Sequence, residues 1–282
     1  MKKKSMTEKP LLFFIGGTGE TAPLCSSLAE HGYRLLVSTA TDEPLSLPDI
    51  PDITRRTGRL DLASMTDLIR QSRSSAVICA AHPYASRVRE TAIAAGSALG
   101  LPCLIYDRPG TDVANLRRMQ KQEADSNKLT GIMWVESHEQ AAAFIGRARG
   151  AVLITTGANN LDVYACEARR TGVRIAVRIL PRAESITKAR KAGIADENII
   201  SQKGPFTEKE TLEHIRRFNA DLLITKESGT AGGFTEKIHA ARRAGIPVVV
   251  IRRPRDSFPQ NVRITQFFDE VIEWITRTLA VK

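Results

Sequence analysis

The sequence predicts an α/β protein built from two doubly wound parallel sheets. Short apolar runs alternate with amphipathic helical patterns along most of the chain, and the alternation starts again after Gly150. Strands that alternate with helices are typical of parallel sheets covered by helices on both faces. The restart indicates a second domain of the same kind. We therefore expect two Rossmann-like domains around a central cleft, an N-terminal dinucleotide-binding domain over residues 1–140 and a C-terminal domain over residues 141–282.

In the first half, the clearest strand is the run Leu-Leu-Phe-Phe-Ile at 11–15, because it is continuously apolar and ends in glycines. Further apolar runs of strand length predict strands at 34–39, 76–80, 102–106 and 131–135. Between them, apolar side chains recur every three or four residues, which predicts helices at 20–31, 60–71, 84–99 and 138–147.

The second half repeats this pattern with its own strands and helices. The predicted strands are residues 151–155, 173–177, 198–201, 221–225 and 247–251. The predicted helices are residues 160–170, 184–192, 207–218 and 233–244, and a last helix at 266–279 could pack on either domain.

The composition is that of a globular protein, with 282 residues of which 42% are hydrophobic and 26% charged. No apolar run approaches the roughly 18 residues that span a bilayer, and the basic N-terminus lacks the apolar stretch of a secretory signal. The four cysteines stand singly, without metal-site spacing, so we expect buried reduced thiols and no bound metal. These features predict a cytoplasmic protein without a membrane partner; the oligomeric state stays open, with a monomer favoured.

The formal net charge of +10 raises the question of a nucleic-acid partner. The arginines are spread over many predicted helices, only 5% of the residues are aromatic, and no nucleic-acid-binding motif is present. We expect no nucleic acid, and instead a small, strongly anionic ligand.

A glycine-rich turn follows the first predicted strand. Gly17, Gly19 and Ala22 have the G-x-G-x-x-G/A spacing, in which small residues allow a tight turn and close approach of the backbone to a pyrophosphate. The first N–H groups of the following helix would face the anion. A turn without a nucleotide is the alternative, because many strand-to-helix turns contain glycine. The residues predicted to bind the cofactor are Gly16, Gly17, Thr18, Gly19 and Glu20, with Glu20 as a possible helix cap.

The end of the second predicted strand bears on the choice of cofactor. NAD-specific sites usually place an acidic residue there to bind the ribose hydroxyls, but this strand ends in Ser38 and Thr39. Their hydroxyls would tolerate a 2′-phosphate. The sequence therefore favours NADPH, with NADH possible, and predicts that Ser38 and Thr39 line the ribose unless they are ordinary strand-end residues.

Two further strand ends carry candidate site residues. His82 follows a predicted strand, and Pro83 suits the first turn of a helix, so we expect His82 at or next to a helix N-cap. The segment from Lys226 through Ser228 and Gly229 also follows a buried strand and contains the glycines, hydroxyls and positive charge of an anion-binding turn. A structural histidine and a flexible linker are the alternatives.

Short motifs along the chain stand in a specific order and spacing. They are Gly16-Gly17-Thr18-Gly19-Glu20, Gly58-Arg59-Leu60, His82-Pro83-Tyr84-Ala85, Thr155-Thr156-Gly157, Arg178-Ile179-Leu180-Pro181, Gly204-Pro205-Phe206, Thr225-Lys226-Glu227-Ser228-Gly229, Gly245-Ile246-Pro247 and Arg253-Pro254. Together they resemble the precorrin-6A (cobalt-precorrin-6A) reductase family of cobalamin biosynthesis, over nearly all of the chain after the first ten residues.

The resemblance implies an enzyme that delivers hydride from a nicotinamide, NADPH or NADH, to a carbon–carbon double bond of a corrin precursor. Such a tetrapyrrole carries many carboxylates, which would suit the basic composition. From the positions of these residues at strand ends, we predict that Lys226, Ser228 and Gly229 bind the nicotinamide end of the cofactor or the substrate, and that His82 and Tyr84 orient a substrate carboxylate or deliver a proton. The substrate-binding residues that the resemblance implies are His82, Tyr84, Arg178, Phe206 and Lys226.

The sequence departs from the family pattern in places. Cys79-Ala80-Ala81 stands where Asp-Ala-Thr is common, Ala158-Asn159 where Ser-Lys is common, and Thr211 where an asparagine is usual. These changes leave open which cation contacts which carboxylate. A nucleotide-sugar-type transferase and a non-catalytic nucleotide-binding module remain alternatives, because similar folds carry all three functions.

Overall fold

The computed structural model describes residues 9–108, 131–229, 232–254 and 258–280. The chain divides into two compact units, the first made of Met1–Arg108 with Pro254–Lys282 and the second of Pro109–Arg253. Each unit contains one six-stranded sheet in which all paired strands are parallel. This confirms the predicted fold class of two α/β domains with parallel sheets.

The first unit has the strand order β12-β5-β4-β1-β2-β3. Its strands are β1 (Leu11–Ile15), β2 (Arg34–Thr39), β3 (Ile53–Thr57), β4 (Ala76–Cys79), β5 (Cys103–Tyr106) and β12 (Arg263–Thr265). Its helices are α1 (Thr21–Glu30), α2 (Leu62–Gln71), α3 (Ser86–Ala98) and α9 (Phe268–Ala280). The chain order reverses between β1 and β4, and ligands of such sheets bind where the carboxyl ends of the two strands diverge.

The core of the first unit fixes β1 between two layers of helices. Phe14 packs on one face with Leu24 of α1 and Val271 of α9, whereas Phe13 packs on the other face with Ile69 of α2. These side chains are almost completely buried. The glycine turn therefore starts from a strand that is packed on both faces of the sheet.

The second unit repeats the arrangement with the strand order β6-β11-β10-β7-β8-β9. Its strands are β6 (Ile132–Val135), β7 (Ala151–Ile154), β8 (Arg174–Ile179), β9 (Ile199–Ser201), β10 (Ala220–Lys226) and β11 (Val248–Ile251). Its helices are α4 (His138–Ala142), α5 (Leu161–Thr171), α6 (Ala183–Lys191), α7 (Glu208–Phe218) and α8 (Phe234–Ala244). Here the order reverses between β7 and β10.

The division of the chain differs from the predicted boundary at residue 140. Strand β6 pairs with β11 of the second sheet, and β12, although it lies near the C-terminus, pairs with β5 of the first. Both are short edge strands. Their positions depend on hydrogen bonds to strands far away in the sequence, which local apolar patterning does not record.

Other differences concern polar or short elements. Strands β3 and β12 escaped prediction because Ile-Thr-Arg-Arg-Thr and Arg-Ile-Thr are not apolar runs. Cys25, Cys79 and Cys103 are buried thiols as expected, but Cys166 is exposed on α5. Among the described residues, no helix is long and apolar enough to cross a membrane.

Candidate functional site

The glycine turn joins β1 to α1 in the first unit. A Cβ on Gly16 would lie 2.5 Å from Thr21 Cγ2, and Gly17 has a φ of 122°, so both positions require glycine. A Cβ on Gly19 would meet no atom within 4 Å. Within the described residues, the N–H groups of Gly19 and Glu20 donate to no protein group. The turn thus presents open space next to two available donors.

Thr21, the first residue of α1, holds the turn in shape. Its Oγ1 accepts hydrogen bonds from the N–H groups of Gly17 at 2.9 Å and Thr18 at 3.2 Å, and the side chain is fully buried. Thr18 Oγ1 in turn donates to the carbonyl of Ala80 at 3.3 Å. These bonds connect the carboxyl ends of β1 and β4 where the strand order reverses. Sequence reasoning missed Thr21, although its position three residues after Thr18 is a signal for such a bond.

Glu20 does not cap α1. It occupies the N-cap position without a side-chain hydrogen bond to the helix, and its Oε1 lies 3.4 Å from Arg108 Nη1. The predicted capping role is therefore wrong, because the carboxylate turns towards Arg108 instead of the helix N–H groups. Glu20 Oε2 is buried without a hydrogen-bond partner among the described residues.

Ser38 and Thr39 end β2 and are at most 5% exposed. Ser38 Oγ accepts a hydrogen bond from Arg56 Nη1 at 3.1 Å, and Thr39 Oγ1 accepts from Arg55 Nε at 3.2 Å. Arg55 Nη2 also donates to the carbonyl oxygens of Thr41 and Glu43. Both hydroxyls therefore hold arginines of the neighbouring strand β3. Sequence reasoning missed these two arginines because β3 itself was not predicted.

His82 and Tyr84 lie in a turn after β4, and α3 begins only at Ser86 with Ala85 as its N-cap. The expected place of His82 at or next to the N-cap is wrong, because the Ala85 N–H donates to the His82 carbonyl at 2.7 Å and closes a separate turn. The Tyr84 N–H donates to His82 Nδ1 at 3.2 Å. Nδ1 is thus an acceptor, so in the neutral ring the proton lies on Nε2.

Arg178 and Phe206, two residues of the predicted substrate-binding set, are in contact in the second unit. Arg178 lies near the end of β8 and is 5% exposed, with its guanidinium carbon 3.9 Å from the centroid of the Phe206 ring. Its Nη1 donates to Thr211 Oγ1 at 3.2 Å. Burial lowers the pKa of Arg178 to about 10. The guanidinium is thus stacked on Phe206, hydrogen-bonded to Thr211 and largely shielded from water.

Ser228 and Gly229 lie in the loop between β10 and α8, and Gly229 has a φ of 68°. Ser228 Oγ donates to the Gly232 carbonyl at 3.2 Å. The buried Lys237 of α8 donates to the same carbonyl at 2.7 Å and lies 3.4 Å from Ser228 Oγ. Lys237, which sequence reasoning did not single out, therefore links Ser228 to Gly232.

Lys226 ends β10, and burial lowers its pKa to about 8. His138 feels this positive charge: burial first, and Lys226 second, lower the pKa of His138 to about 4. Asn160 Nδ2 donates to His138 Nε2 at 2.8 Å, so the ring proton lies on Nδ1 and is donated to the Tyr164 hydroxyl at 2.7 Å. Sequence reasoning missed His138, Asn160 and Tyr164, because His138 lies more than twenty residues before the other two in the sequence.

In the parts of the chain that the structure describes, no three His, Cys, Asp or Glu side chains are grouped so that they could hold a metal ion.

A family model described as precorrin-6x reductase CbiJ/CobK matches residues 12–276. The cobalt-precorrin-6A reductase of Salmonella typhimurium is 33% identical over 244 residues, which are 85% of this chain and 86% of that protein. The cobalt-precorrin-6A reductase of Priestia megaterium is 26% identical over 263 residues, covering 93% and 96% of the two chains. The solved structure of a CobK precorrin-6A reductase has a TM-score of 0.72 at 22% identity, covers 95% of this chain and 96% of its own, and shows the same fold.

Proposed function

The chain belongs to the precorrin-6x reductase family, and on this basis we propose that it reduces one carbon–carbon double bond of the precorrin-6A macrocycle with NADPH, whether or not the macrocycle carries cobalt. The family makes the chain an oxidoreductase of cobalamin biosynthesis that acts on a CH–CH group of a tetrapyrrole. This membership favours the reductase over the transferase and the non-catalytic module. The glycine turn where the strand order reverses in the first sheet is the observation that carries the cofactor assignment.

The residues of the first unit fit a dinucleotide. Gly16 and Gly17 cannot be replaced without a clash or strain, and the space beside Gly19 lies next to the N–H groups of Gly19 and Glu20. Backbone donors of this kind at a helix N-terminus suit a pyrophosphate. When bound, a nicotinamide supplies the hydride, and the protein supplies binding, orientation and exclusion of water.

The preference for NADPH rests on Arg56. No acidic residue ends β2, and Ser38 is too buried to contact a ribose directly, but its hydroxyl fixes one nitrogen of Arg56. Both arginines also bind backbone oxygens: Arg55 donates from Nη2 to the carbonyls of Thr41 and Glu43, and Arg56 donates from Nη1 to the Gly58 carbonyl at 2.7 Å and from Nη2 to the Thr57 carbonyl. We assign the 2′-phosphate to Arg56, because its charge is held beside the end of β2 and its Nε has no hydrogen-bond partner among the described residues.

His82 and Tyr84 orient the substrate in this proposal. Because His82 Nδ1 accepts the Tyr84 N–H, the group that His82 offers a ligand is a neutral Nε2–H donor. Such a donor binds a carboxylate but does not readily release its proton. The geometry therefore favours orientation over proton delivery. Arg178, Phe206 and Lys226 of the second unit contact the anionic substrate, whose carboxylates suit their charge.

We also propose that the enzyme acts as a monomer, without nucleic acid, and in the cytoplasm. The cytoplasmic location is supported by the chemistry of the two ligands, because both are water-soluble polyanions, which do not cross a membrane unaided.

The test follows nicotinamide absorbance while the purified chain is mixed with precorrin-6A and either NADPH or NADH. We expect one NADPH to be consumed per macrocycle and a higher KM for NADH. No loss of absorbance with either cofactor would contradict the reductase assignment.

A pair of glycine variants tests the cofactor site itself. Gly19→Ala places its methyl group in the open space and should leave folding intact while raising the KM for NADPH. Gly131→Ala is the matched control, because a Cβ there also meets no atom within 4 Å but lies at the start of β6. Equal KM values for NADPH in both variants and the wild type would remove the glycine turn from the cofactor site.

A further inference from the structure

Two acidic residues follow β2 in the loop that leads to β3. Asp42 is exposed and Glu43 is half-buried, and both come shortly after Thr39, the last residue of the strand. An acidic side chain near this strand end binds the ribose hydroxyls of NAD, and its charge repels a 2′-phosphate. Both acids are therefore unfavourable for NADPH unless the fold keeps their carboxylates away from the ribose.

Arg55 anchors this loop on either side of Asp42. Its Nη2 donates to the Thr41 carbonyl at 2.9 Å and to the Glu43 carbonyl at 2.7 Å. Its Nε and Nη2 also donate to Thr39 Oγ1 at 3.2 and 3.1 Å, and this hydroxyl donates to the Thr41 carbonyl at 2.8 Å. One guanidinium thus ties the end of β2 to the backbone that carries the two acids.

The backbone around Asp42 depends on these bonds. The N–H groups of Thr41 and Asp42 donate to no group among the described residues. Further along the loop, Leu47 packs its side chain on the core of the unit. Removing the Arg55 guanidinium would leave two carbonyls without their donor, and a loop segment with so few hydrogen bonds would then change direction easily.

Strand alternation separates Arg55 from Arg56. In the parallel register of β2 and β3, Arg55 lies opposite Val37, and it reaches Thr39 on the same face of the sheet. Arg56 lies opposite Ser38 and donates to its hydroxyl on the other face. The backbone of the acids is thus anchored on one face of the sheet, and the arginine that we assign to the 2′-phosphate lies on the other.

Arg55 acts on the two acids through their backbone. All of its hydrogen bonds go to a hydroxyl or to carbonyl oxygens, and none goes to a carboxylate. Arg55 therefore leaves the negative charges of Asp42 and Glu43 in place and fixes only where the chain holds them. A lysine has a single nitrogen instead of this planar fork of donors and would not reach the same acceptors in the same directions.

We propose that Arg55 is a positioning residue that determines cofactor specificity: by fixing the carbonyls of Thr41 and Glu43, it keeps the carboxylates of Asp42 and Glu43 away from the 2′-phosphate. The inference rests on the proposed function and deepens it, because it explains how a chain with two acids beyond β2 uses NADPH. Specificity of this kind depends on where a repulsive group is held. Loss of the anchor lets the acids approach the ribose, which weakens NADPH and favours NADH.

The kinetic preference between the two nicotinamides tests the proposal. With precorrin-6A as substrate, kcat/KM is measured for NADPH and for NADH on the wild type, Arg55→Gln and Arg55→Lys. We expect the ratio of the NADPH value to the NADH value to fall at least about tenfold in Arg55→Gln, which corresponds to about 1.4 kcal/mol, with Arg55→Lys in between. The matched control is Arg34→Gln, which removes the same charge from the other end of β2, where Nε donates to the Lys9 carbonyl at 3.2 Å. Its ratio should equal that of the wild type.

Neutralising the acids distinguishes positioning from a direct contact with the phosphate. When Arg55→Gln is combined with Asp42→Asn and Glu43→Gln, the ratio should return to the wild-type value, because no carboxylate is left to repel the phosphate. The same neutral pair should not restore the ratio in Arg56→Gln, where the phosphate contact itself is lost. A ratio that stays low in the triple variant would overturn the proposal, and so would an unchanged ratio in Arg55→Gln.

Misfolding does not imitate the expected result. Both cofactors are measured on the same sample, so an unfolded fraction lowers both kcat/KM values equally and cancels in the ratio. Calorimetric affinities for NADP and NAD, measured without precorrin-6A, separate this proposal from the proposed function. If the wild type oxidises no NADPH, the proposed function fails, while the affinity ratios of the same variants still decide on Arg55. If the wild type binds NAD at least as tightly as NADP, or binds neither, the proposal for Arg55 is overturned.

Discussion

The backbone N–H of Tyr84 donates to Nδ1 of His82 at 3.2 Å, and this bond fixes the tautomer of the imidazole. His82→Asn offers a side-chain oxygen in place of Nδ1 but no group in place of Nε2. We expect this variant to keep its thermal midpoint and to show a raised KM for precorrin-6A with kcat nearly unchanged, because an orienting contact is lost.

A general acid would behave differently. If His82 supplied the proton, kcat would fall by roughly 10²- to 10⁴-fold in His82→Asn, and the alkaline limb of the pH–rate profile, where the acid loses its proton, would disappear. Steady-state kinetics across pH therefore decide between the two roles. Tyr84→Phe is a useful companion, because it keeps the N–H that contacts His82 and removes only the phenol.

Thr21 offers a test of how the glycine turn is held. Thr21→Val keeps the shape of the side chain but leaves the N–H groups of Gly17 and Thr18 without their acceptor. We expect the free energy of unfolding to fall by about 1–3 kcal/mol and the KM for NADPH to rise. Thr21→Ser retains the acceptor and should behave like the wild type in denaturant titrations and in kinetics. Equal results for the two variants would show that the hydroxyl does not support the turn.

Arg56 should set the preference between the two nicotinamides. Arg56→Gln removes the charge that we assign to the 2′-phosphate, so kcat/KM for NADPH should fall about tenfold or more, while the value for NADH stays the same. Arg70→Gln is the control, because Arg70 is exposed on α2 and pairs with Asp67. A parallel loss with both cofactors would mean that Arg56 acts only through the fold.

The lowered pKa of Lys226 predicts that substrate binding weakens at alkaline pH. Its pKa of about 8 means that the ammonium is protonated below this pH and neutral above it, so the KM for precorrin-6A should rise as the pH passes upwards through about 8. Bound carboxylate favours the charged form and moves the transition to higher pH. Lys226→Arg should abolish the transition because arginine stays protonated, and Lys226→Gln should have a high KM at every pH. A wild-type KM that is flat across this range would exclude Lys226 from carboxylate binding.

The lowered pKa of His138 predicts that the second unit becomes less stable at acidic pH. Its folded-state pKa of about 4 lies below the ordinary value of 6.5, so between these values the unfolded chain binds more protons than the folded one. The free energy of unfolding should therefore decrease as the pH falls from about 6.5 to 4. Urea titrations should show a smaller decrease for His138→Gln than for the wild type, and an equal decrease in the two proteins would contradict this prediction.

Most of the fold could be predicted because its strands are buried and therefore apolar. The run at Leu11–Ile15 and the run at Val248–Ile251 are recognisable by composition alone. Strand β3 could not be recognised in this way, because four of its five residues are polar, and β12 has only three residues. The observed division of the chain differs from the predicted boundary for a related reason: pairing with distant strands, and not local pattern, decides to which sheet an edge strand belongs.

The site was predictable where one segment supplies all of its parts. The glycines of the turn are neighbours in sequence, and their spacing carries the signal. The partners of Arg178 come from α7 and from the segment before it, more than twenty-five residues away. Likewise, the burial of Ser38 and the tautomer of His82 depend on which groups the folded chain brings next to them. Such contacts leave no trace in local spacing.

The position of β12 determines the order in which the two sheets can be completed. The second unit is one continuous stretch, whereas the first needs β12 at its edge and needs Val271 and Ile275 of α9 in its core. A ribosome adds roughly 5–20 residues per second, so the second unit can form while the first still lacks these pieces. The half of the protein that is synthesised first is thus the half that is finished last, and until then its β5 edge and the apolar surface beneath α9 stay open to other chains.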